Sequence, residues 1–302
     1  MTLPHDDTLV SYPFGELTTS STVVHTEPLP NGRIAVLLDR TTCHPVDAGW
    51  PDQGPDRAVL RAQSSRGTVE FPVVDCVVGA TDGSVLHLGR DIPVPKGTDG
   101  WAFVVVHILD DASAPGADAE AEALNEGDTV DIIVDGDYRH ALSAGHTACH
   151  LASLALNRAV ADRWRKEIRP DGLGNPDFDG AANDVSLIRE HGSTDTYRLG
   201  KSLRKKGFTT DGFAEALGDV QAAVNASLAE WVATDAPVRV DRDGDRLTDR
   251  RSWVCELPDH TVRIPCGGTH LTSLGELGGL RAELSVTDVD GTMVLTMETS
   301  RA

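Results

Sequence analysis

Polar and apolar residues alternate over short runs in the first part of the chain, and turn residues separate the runs. Strand-like runs cover residues 22–40, 68–79, 83–88, 101–109 and 127–135. The first of them contains Pro30-Asn31-Gly32, a turn signal that divides it into two strands. Residues 41–57, rich in Gly, Pro and Asp, predict a loop. This pattern predicts a small β-barrel-like domain over residues 1–136.

The spacing changes after Asp135. Over residues 138–168 the apolar positions recur at helical intervals, and residues 210–233 predict a second amphipathic helix that begins after Thr209-Thr210-Asp211. Residues 252–299 alternate again, and Val289-Asp290-Gly291-Thr292 predicts a hairpin. We therefore expect an α+β domain over residues 137–302, and an α+β fold class for the whole chain.

The cysteine pattern and the N-terminal sequence indicate the compartment in which the protein is expected. The chain has 302 residues and five cysteines, which are scattered and contain no C-x-x-C pair. No run of 18 apolar residues occurs, and the start, MTLPHDDTLV, lacks the basic stretch of a signal peptide. These features predict a protein of the reducing cytoplasm with no membrane partner.

The net charge of −20 at first argues against a nucleic-acid partner. The basic residues, however, are concentrated in two stretches, 158–169 and 198–206. As candidate contacts to the phosphates of a nucleic acid, we select Arg158, Arg165, Arg169, Lys201, Arg204, Lys205 and Lys206. Arg158, Arg165 and Arg169 are predicted to share a helix face, and so are Arg198, Lys201 and Lys205. The alternative is a solvated surface paired with Asp162 and Glu167.

Two short segments carry candidate metal ligands. His146-Thr147-Ala148-Cys149-His150 places two imidazoles at i and i+4 on the predicted helix, so both can reach one ion. Taken alone, this spacing also fits two unrelated histidines. In Cys266-Gly267-Gly268-Thr269-His270 the two glycines would permit a tight turn that points Cys and His inward. Alone, this segment also fits a structural turn beside a buried cysteine.

Together the segments supply His146, His150, Cys266 and His270, a donor set that suits Zn²⁺. Cys149 lies inside the first segment, but its spacing from both histidines predicts a small buried residue on the opposite flank.

The two motifs, H-T-A-x-H-L at 146–151 and C-G-G-T-H at 266–270, resemble the editing domains of alanyl-tRNA synthetases and the free-standing alanyl-tRNA editing proteins. The editing domain of many threonyl-tRNA synthetases is a more distant relative. Asp39-Arg40-Thr41 with Pro45, Gly49 and Pro51 resembles a degraded form of the glycine-rich loop of that family. Gly127-Asp128-x-Val130 resembles its last barrel strand, and the resemblance spans roughly residues 30–285.

The resemblance implies a β-barrel-like domain followed by an editing domain, which hydrolyses the ester between an amino acid and the 3′ end of tRNA with a zinc-bound water. It implies His146, His150 and Cys266 as ligands, and His270 as either a fourth ligand or a proton-transfer group. Thr269 and Thr41 become candidates to touch the substrate, although turn-forming hydroxyls are an equal alternative. Further candidates for substrate binding are His44, Gly49, Trp50, Gly267 and Gly268.

The chain also departs from the family. The glycine-rich loop reads Asp47-Ala48-Gly49-Trp50-Pro51 here, and Cys43-His44 replaces an aromatic pair. That loop lies near the pocket in relatives, so we hypothesise that the substrate is not ordinary alanine but a threonine-like amino acid, as in fluorothreonyl-tRNA deacylases. Neutral drift in a tolerant loop is the alternative.

A chain of 302 residues leaves no room for an aminoacylation domain, so we expect editing in trans. Two rival functions stay open: a zinc hydrolase of small esters or amides, and a non-catalytic tRNA-binding module with structural zinc. The oligomeric state is open as well.

Overall fold

The computed structural model describes residues 3–30, 32–64, 67–110 and 124–301, and it divides the chain into two compact units. The first unit comprises Met1–Arg139 and Arg242–Arg251, and the second comprises His140–Asp241 and Ser252–Ala302. The local pattern predicts one division between residues 136 and 137, and it does not signal that the chain returns to the first unit at 242–251.

A closed barrel of six antiparallel strands forms the first unit. The strands of the whole unit, in chain order, are β1 (Leu9–Val10), β2 (Thr18–Leu29), β3 (Arg33–Leu38), β4 (Arg40–Thr41), β5 (Ala58–Ser64), β6 (Gly67–Thr81), β7 (Leu86–Leu88), β8 (Ala102–Asp110) and β9 (Thr129–Val134). Neighbours pair in the order β5-β9-β2-β3-β8-β6, and β6 pairs back onto β5 to close the sheet. The barrel predicted for the N-terminal part of the chain is therefore confirmed.

Strand β8 shows why this part of the chain closes into a barrel. Eight successive residues of β8 are buried, so it has apolar contacts on both faces. Phe103 and Val105 point into the barrel core, whereas Val104 and Val106 pack in an outer layer with Leu37. β2 and β3 meet at Leu29 and Arg33 around the predicted turn, of which Asn31 lies outside the described residues. β5 was not predicted, because its sequence AVLRAQS continues from the Pro- and Gly-rich loop without a clear alternation.

Helices and two sheets make up the second unit. The helices are α1 (Gly136–Ala159, which begins in the first unit), α2 (Phe178–Ala182), α3 (Lys201–Lys206) and α4 (Leu217–Val232). The strands are β10 (Asn183–Arg189), β11 (Gly192–Arg198), β12 (Val238–Arg242), β13 (Arg251–Glu256), β14 (Thr261–Pro265), β15 (Arg281–Val289) and β16 (Thr292–Ser300). They form a four-stranded sheet β10-β11-β16-β15 and a three-stranded sheet β12-β13-β14. The chain is thus a mixed α and β protein, as predicted in outline.

Both predicted helices are shorter than the sequence pattern suggests. α1 ends at Ala159 rather than near residue 168. Beyond the helix, the N–H of Arg165 donates to the Gly207 carbonyl at 2.9 Å. α4 begins at Leu217, after a series of turns, and has no side-chain cap. The prediction that it starts after Thr209-Thr210-Asp211 was wrong, since the Thr209 N–H donates to the distant Arg163 carbonyl at 2.9 Å and a turn, in which the Phe213 N–H donates to the Thr210 carbonyl at 3.2 Å, precedes the helix.

The predicted C-terminal hairpin is present. Val289 pairs with Thr292, and the two residues between them have positive φ angles, 51° at Asp290 and 74° at Gly291, as the tight hairpin turn requires. The hairpin of β10 and β11 was not predicted, because residues 172–200 carry no clear periodicity. It packs against α1 so closely that a Cβ at Gly145 would lie 2.2 Å from the Arg189 carbonyl oxygen. Only glycine fits beside His146 at this crossing.

A buried ion pair joins the start of α1 to the loop at 41–57 within the first unit. Arg139 and Asp56 are each 3% exposed. The Arg139 guanidinium donates through Nε to Asp56 Oδ1 at 2.7 Å, and through Nη2 to the Thr42 carbonyl at 2.7 Å and to Asp56 Oδ2. The Asp56 carboxylate also accepts the backbone N–H of His44. The pair therefore fixes the loop against the helix start.

Replacing Asp56→Ala is expected to lower the free energy of unfolding of the first unit by about 3–5 kcal/mol, because it leaves the Arg139 charge buried without its partner. Urea denaturation measures the loss. Glu70→Ala is the matched control, since it removes the partner of Arg61 in an ion pair that is about half exposed and is expected to cost under about 1 kcal/mol. Equal losses in the two variants would contradict this role of the buried pair.

Candidate metal centre

Helix α1 presents its two motif histidines on one face. His146 and His150 are one helical turn apart, and their ring centroids lie 4.8 Å from each other. His146 is 1% exposed, and Ala148 between them is fully buried in the core of the second unit. The helical geometry predicted for H-x-x-x-H is therefore present.

The second motif follows strand β14 directly. Cys266 and His270 occupy the loop between β14 and a short 3-10 helix at Leu274–Leu277. Their side chains do point inward, but neither Gly267 nor Gly268 has a positive φ angle. The predicted inward orientation of Cys266 and His270 is therefore present, without a left-handed conformation at either glycine. A Cβ at Gly267 would contact no atom within 4 Å, so the glycine leaves open space beside the motif.

The four candidate ligands meet in one cluster. The ligand atoms of His146, His150, Cys266 and His270 all lie within 4.8 Å of one another. Cys266 Sγ is 3.4 Å from His146 Nε2 and 3.3 Å from His270 Nε2. Tetrahedral zinc, with bonds of about 2.0 Å to nitrogen and 2.3 Å to sulfur, holds its ligand atoms about 3.3–3.6 Å apart. The spacing around Cys266 therefore fits zinc.

The environment of His150 is a second, independent indication of a metal site. Its Nε2 atom is buried and has no hydrogen-bond partner among the described residues. Burial lowers the pKa of the His150 imidazole to about 4, so the ring is neutral at pH 7, the form that binds metals. The fully buried Trp253 packs against the same ring at a centroid distance of 5.2 Å. A buried, neutral nitrogen facing a thiol and two imidazoles is what a metal ligand requires.

A network of hydroxyl groups joins the two motifs from behind. Ser143 Oγ donates to Thr269 Oγ1 at 2.8 Å, and both residues are buried. Thr147 Oγ1 lies 2.8 Å from the Ser143 carbonyl, accepts the Leu271 N–H at 3.1 Å and is 3.4 Å from His270 Nδ1. Ser143 and Thr147 were not selected from the sequence, although Thr147 lies within the motif and Ser143 one helical turn before it.

Cys149 occupies the opposite flank of α1, as its spacing predicts. It is 8% exposed, and its thiol donates to Asp195 Oδ1 at 3.3 Å on β11. Burial raises the pKa of the Asp195 carboxyl, which also accepts the Ser193 hydroxyl. Cys149 therefore contributes to a buried polar contact with the sheet and not to the ligand cluster.

The remaining candidate residues for substrate binding lie in the first unit. The Thr41 hydroxyl is fully buried, 2.9 Å from His107 Nε2, and it accepts the Cys43 N–H. His44 is buried too, which lowers the pKa of its imidazole to about 4, and its Nδ1 has no hydrogen-bond partner in the described part of the chain. The Gly49 N–H donates to Asp47, while Trp50 is 61% exposed.

The basic residues occupy a different arrangement from the predicted one. Because α1 ends at Ala159, Arg158, Arg165 and Arg169 do not share a helix face. Arg198 lies on β11 rather than on a helix, so the grouping with Lys201 and Lys205 was also wrong. α3 carries Lys201, Arg204, Lys205 and Lys206 instead, and all four are exposed.

The structure brings the two basic stretches side by side within the second unit. The Arg165 N–H donates to the Gly207 carbonyl at 2.9 Å, and Lys166 Nζ donates to the Lys205 carbonyl at 3.1 Å. Trp164 also forms a bridge with Phe208. Arg158 and Arg169 are instead engaged with Glu230 and Asp177. The result is one surface, here called the basic surface, formed by Arg165, Lys166, Arg204, Lys205 and Lys206.

Comparison with known proteins identifies as relatives one protein named as an alanyl-tRNA editing protein and two named as alanine–tRNA ligases. The chain is 23% identical over 247 residues to the alanyl-tRNA editing protein AlaX-M of Pyrococcus horikoshii, covering 82% of this chain and 78% of the relative. It is also 26% identical over 163 residues to the alanine–tRNA ligase of Ruegeria pomeroyi, and 26% identical over 268 residues to that of Methanopyrus kandleri.

The matches to the ligases cover 53% and 83% of this chain but only 17% and 21% of the ligases. No family model matches the chain. The similarities confirm the resemblance to free-standing alanyl-tRNA editing proteins that the two motifs predict. In the described part of the chain, no helix is long and apolar enough to span a membrane.

Proposed function

We propose that this chain, as a relative of the alanyl-tRNA editing proteins, is a hydrolase that removes a wrongly attached amino acid from tRNA in trans. The observation that carries the proposal is the cluster of His146, His150, Cys266 and His270. It is built from the two motifs on which the resemblance rests, within a chain that matches the editing protein over most of its length. We place this activity in the cytoplasm, where charged tRNA is available.

The donor set and its spacing support zinc as the cofactor. His146, His150 and Cys266 would hold the ion, with His270 beside them. Zinc bound there would act as a Lewis acid on the ester carbonyl and lower the pKa of an attacking water to about 7.

The protein's own groups prepare this chemistry. The low pKa of His150 keeps its imidazole neutral, and Trp253 shields that ring from water on one side. Thr269, held by Ser143, places a hydroxyl next to His270, where we propose that it orients the substrate. Gly267 leaves room for the substrate to approach, because it presents no side chain. Gly268 lies within hydrogen-bonding distance of Cys266, its N–H 3.5 Å from the sulfur.

We further propose that the loop at 41–57 sets which amino acid is accepted. In this loop Trp50 presents an exposed ring, and Asp47 fixes the Gly49 backbone. Thr41 and His44 are buried, so any effect they have on the substrate passes through the shape of the loop. The substitutions in this loop relative to the family support a preference for a threonine-like amino acid, including fluorothreonine, over alanine.

A second function is favoured by one observation, the presence of four donors around one point. Structural zinc sites are closed by four protein ligands, whereas catalytic sites keep a position open. A non-catalytic tRNA-binding module would use the closed arrangement.

Deacylation of a panel of charged tRNAs tests the proposal. We expect zinc-dependent release of amino acid from seryl-, threonyl- or fluorothreonyl-tRNA in preference to alanyl-tRNA, and loss of at least about 100-fold in His150→Ala, because a ligand is removed. His260→Ala, which alters an exposed histidine of the same unit, is the matched control and should retain full activity. A strong preference for alanyl-tRNA would refute the proposed specificity. Release from none of the substrates would refute the hydrolase.

The basic surface supports tRNA as the partner. Its five side chains are exposed, and they belong to stretches about 40 residues apart that the fold brings together. A local positive surface on a chain of net charge −20 fits contacts to phosphates, which position a tRNA without reading its sequence.

Reversing Arg204, Lys205 and Lys206 to Glu is expected to weaken tRNA binding and to reduce the slope of log affinity against log salt by about three, while zinc content is unchanged. Filter binding over a salt series measures both quantities. Arg281→Glu, at an exposed position on β15, is the control and should bind as the unmodified protein does. Unchanged affinity of the triple variant at moderate salt would refute this placement of the tRNA.

A further inference from the structure

We infer that Thr147 is a positioning residue, which fixes His270 as the Nδ1–H tautomer and thereby presents the unprotonated Nε2 to the ligand cluster. The inference rests on the proposed function, because it concerns the same zinc site. It extends that function to a residue that touches neither the metal nor the substrate.

The hydroxyl of Thr147 has a single proton to donate. Three groups surround its oxygen: the Ser143 carbonyl at 2.8 Å, the Leu271 N–H at 3.1 Å and His270 Nδ1 at 3.4 Å. A hydroxyl donates one hydrogen bond and accepts two. The Ser143 carbonyl can only accept, and it is the nearest of the three, so it takes the proton. The Leu271 N–H can only donate, so it occupies one lone pair of the oxygen.

The third contact then fixes the histidine. With its proton committed, the Thr147 oxygen can only accept from His270, so Nδ1 must carry a hydrogen. A neutral imidazole has one N–H, so the other nitrogen is unprotonated. That nitrogen, Nε2, lies 3.3 Å from Cys266 Sγ, inside the ligand cluster. The ring is thus both oriented and in the tautomer that a metal requires.

Thr147 is suited to this role by its place in the fold. It is fully buried, and it directly follows the ligand His146 on α1. Its hydroxyl also accepts the N–H of the residue after His270, so it holds the backbone of the second motif as well as its imidazole. A β-branched side chain has few rotamers, which keeps the oxygen in place. Groups that orient a ligating histidine through its other nitrogen commonly determine metal affinity.

Two substitutions separate this role from general stability. Thr147→Val keeps the shape but removes the hydroxyl, and Thr147→Ser keeps the hydroxyl. We expect Thr147→Val to weaken zinc binding by about 10- to 100-fold, measured by competition with a chromophoric chelator, and Thr147→Ser to recover most of the affinity. Thr299→Val is the matched control, because Thr299 is a threonine of similar burial whose hydroxyl bonds Ser193 rather than a candidate ligand.

Zinc affinity in Thr147→Val equal to that in Thr299→Val would overturn the inference. A second readout uses the unmodified chain and so does not depend on whether the variants fold. ¹⁵N shifts of the histidine side chains in zinc-free protein, assigned with His270→Gln, should show His270 protonated at Nδ1. Protonation at Nε2 would overturn the inference. Neither readout involves tRNA, so a chain that passes both tests but releases no amino acid would refute the proposed hydrolase alone.

Discussion

Four side chains that could hold a metal ion come from segments 120 residues apart, and their ligand atoms lie within 4.8 Å of one another, which constrains the elements of the second unit around them. α1 must present His146 and His150 on one face, and the loop after β14 must return to that face with Cys266 and His270.

Neighbouring residues help to meet this requirement. Gly145 lets the β10–β11 hairpin approach α1 closely, and Thr147 joins the helix to the backbone at Leu271. A thiol and three imidazoles that converge in this way could hold a metal ion, and the buried Nε2 of His150, which has no hydrogen-bond partner among the described residues, agrees with that possibility.

The sequence carries much of this arrangement in local signals. The i, i+4 spacing of His146 and His150 and the spacing of Cys266 and His270 predict the ligand set without any knowledge of the fold. Asp290-Gly291 likewise predicts its hairpin, because both positions need a positive φ angle. What the sequence did not reveal depends on partners distant along the chain. After the end of α1, Arg165 donates to the carbonyl of Gly207. Trp253 on β13 packs against His150 on α1, and Asp56 meets Arg139 across 83 residues.

The basic surface is a functional feature that local sequence signals also failed to predict. Two basic stretches are visible in the sequence. Helical periodicity predicted that residues within each stretch share a helix face, and the structure does not have those shared faces. Tertiary hydrogen bonds at Arg165 and Lys166 bring them together instead. A strongly acidic chain thus has a local positive surface, which reconciles its net charge with a proposed tRNA partner. The altered loop in the first unit is a separate matter, because our proposal assigns to it, and not to the ligand cluster, the choice of amino acid.

We propose that zinc in this cluster serves catalysis and not folding. Removing the metal from the purified chain, and following both circular dichroism and deacylation of a mischarged tRNA, tests it most directly. A catalytic site predicts that the metal-free chain keeps its spectrum and a cooperative unfolding transition, loses deacylation, and recovers it with stoichiometric zinc. Unfolding of the chain on metal removal, or deacylation that persists without metal, would contradict a catalytic role for zinc.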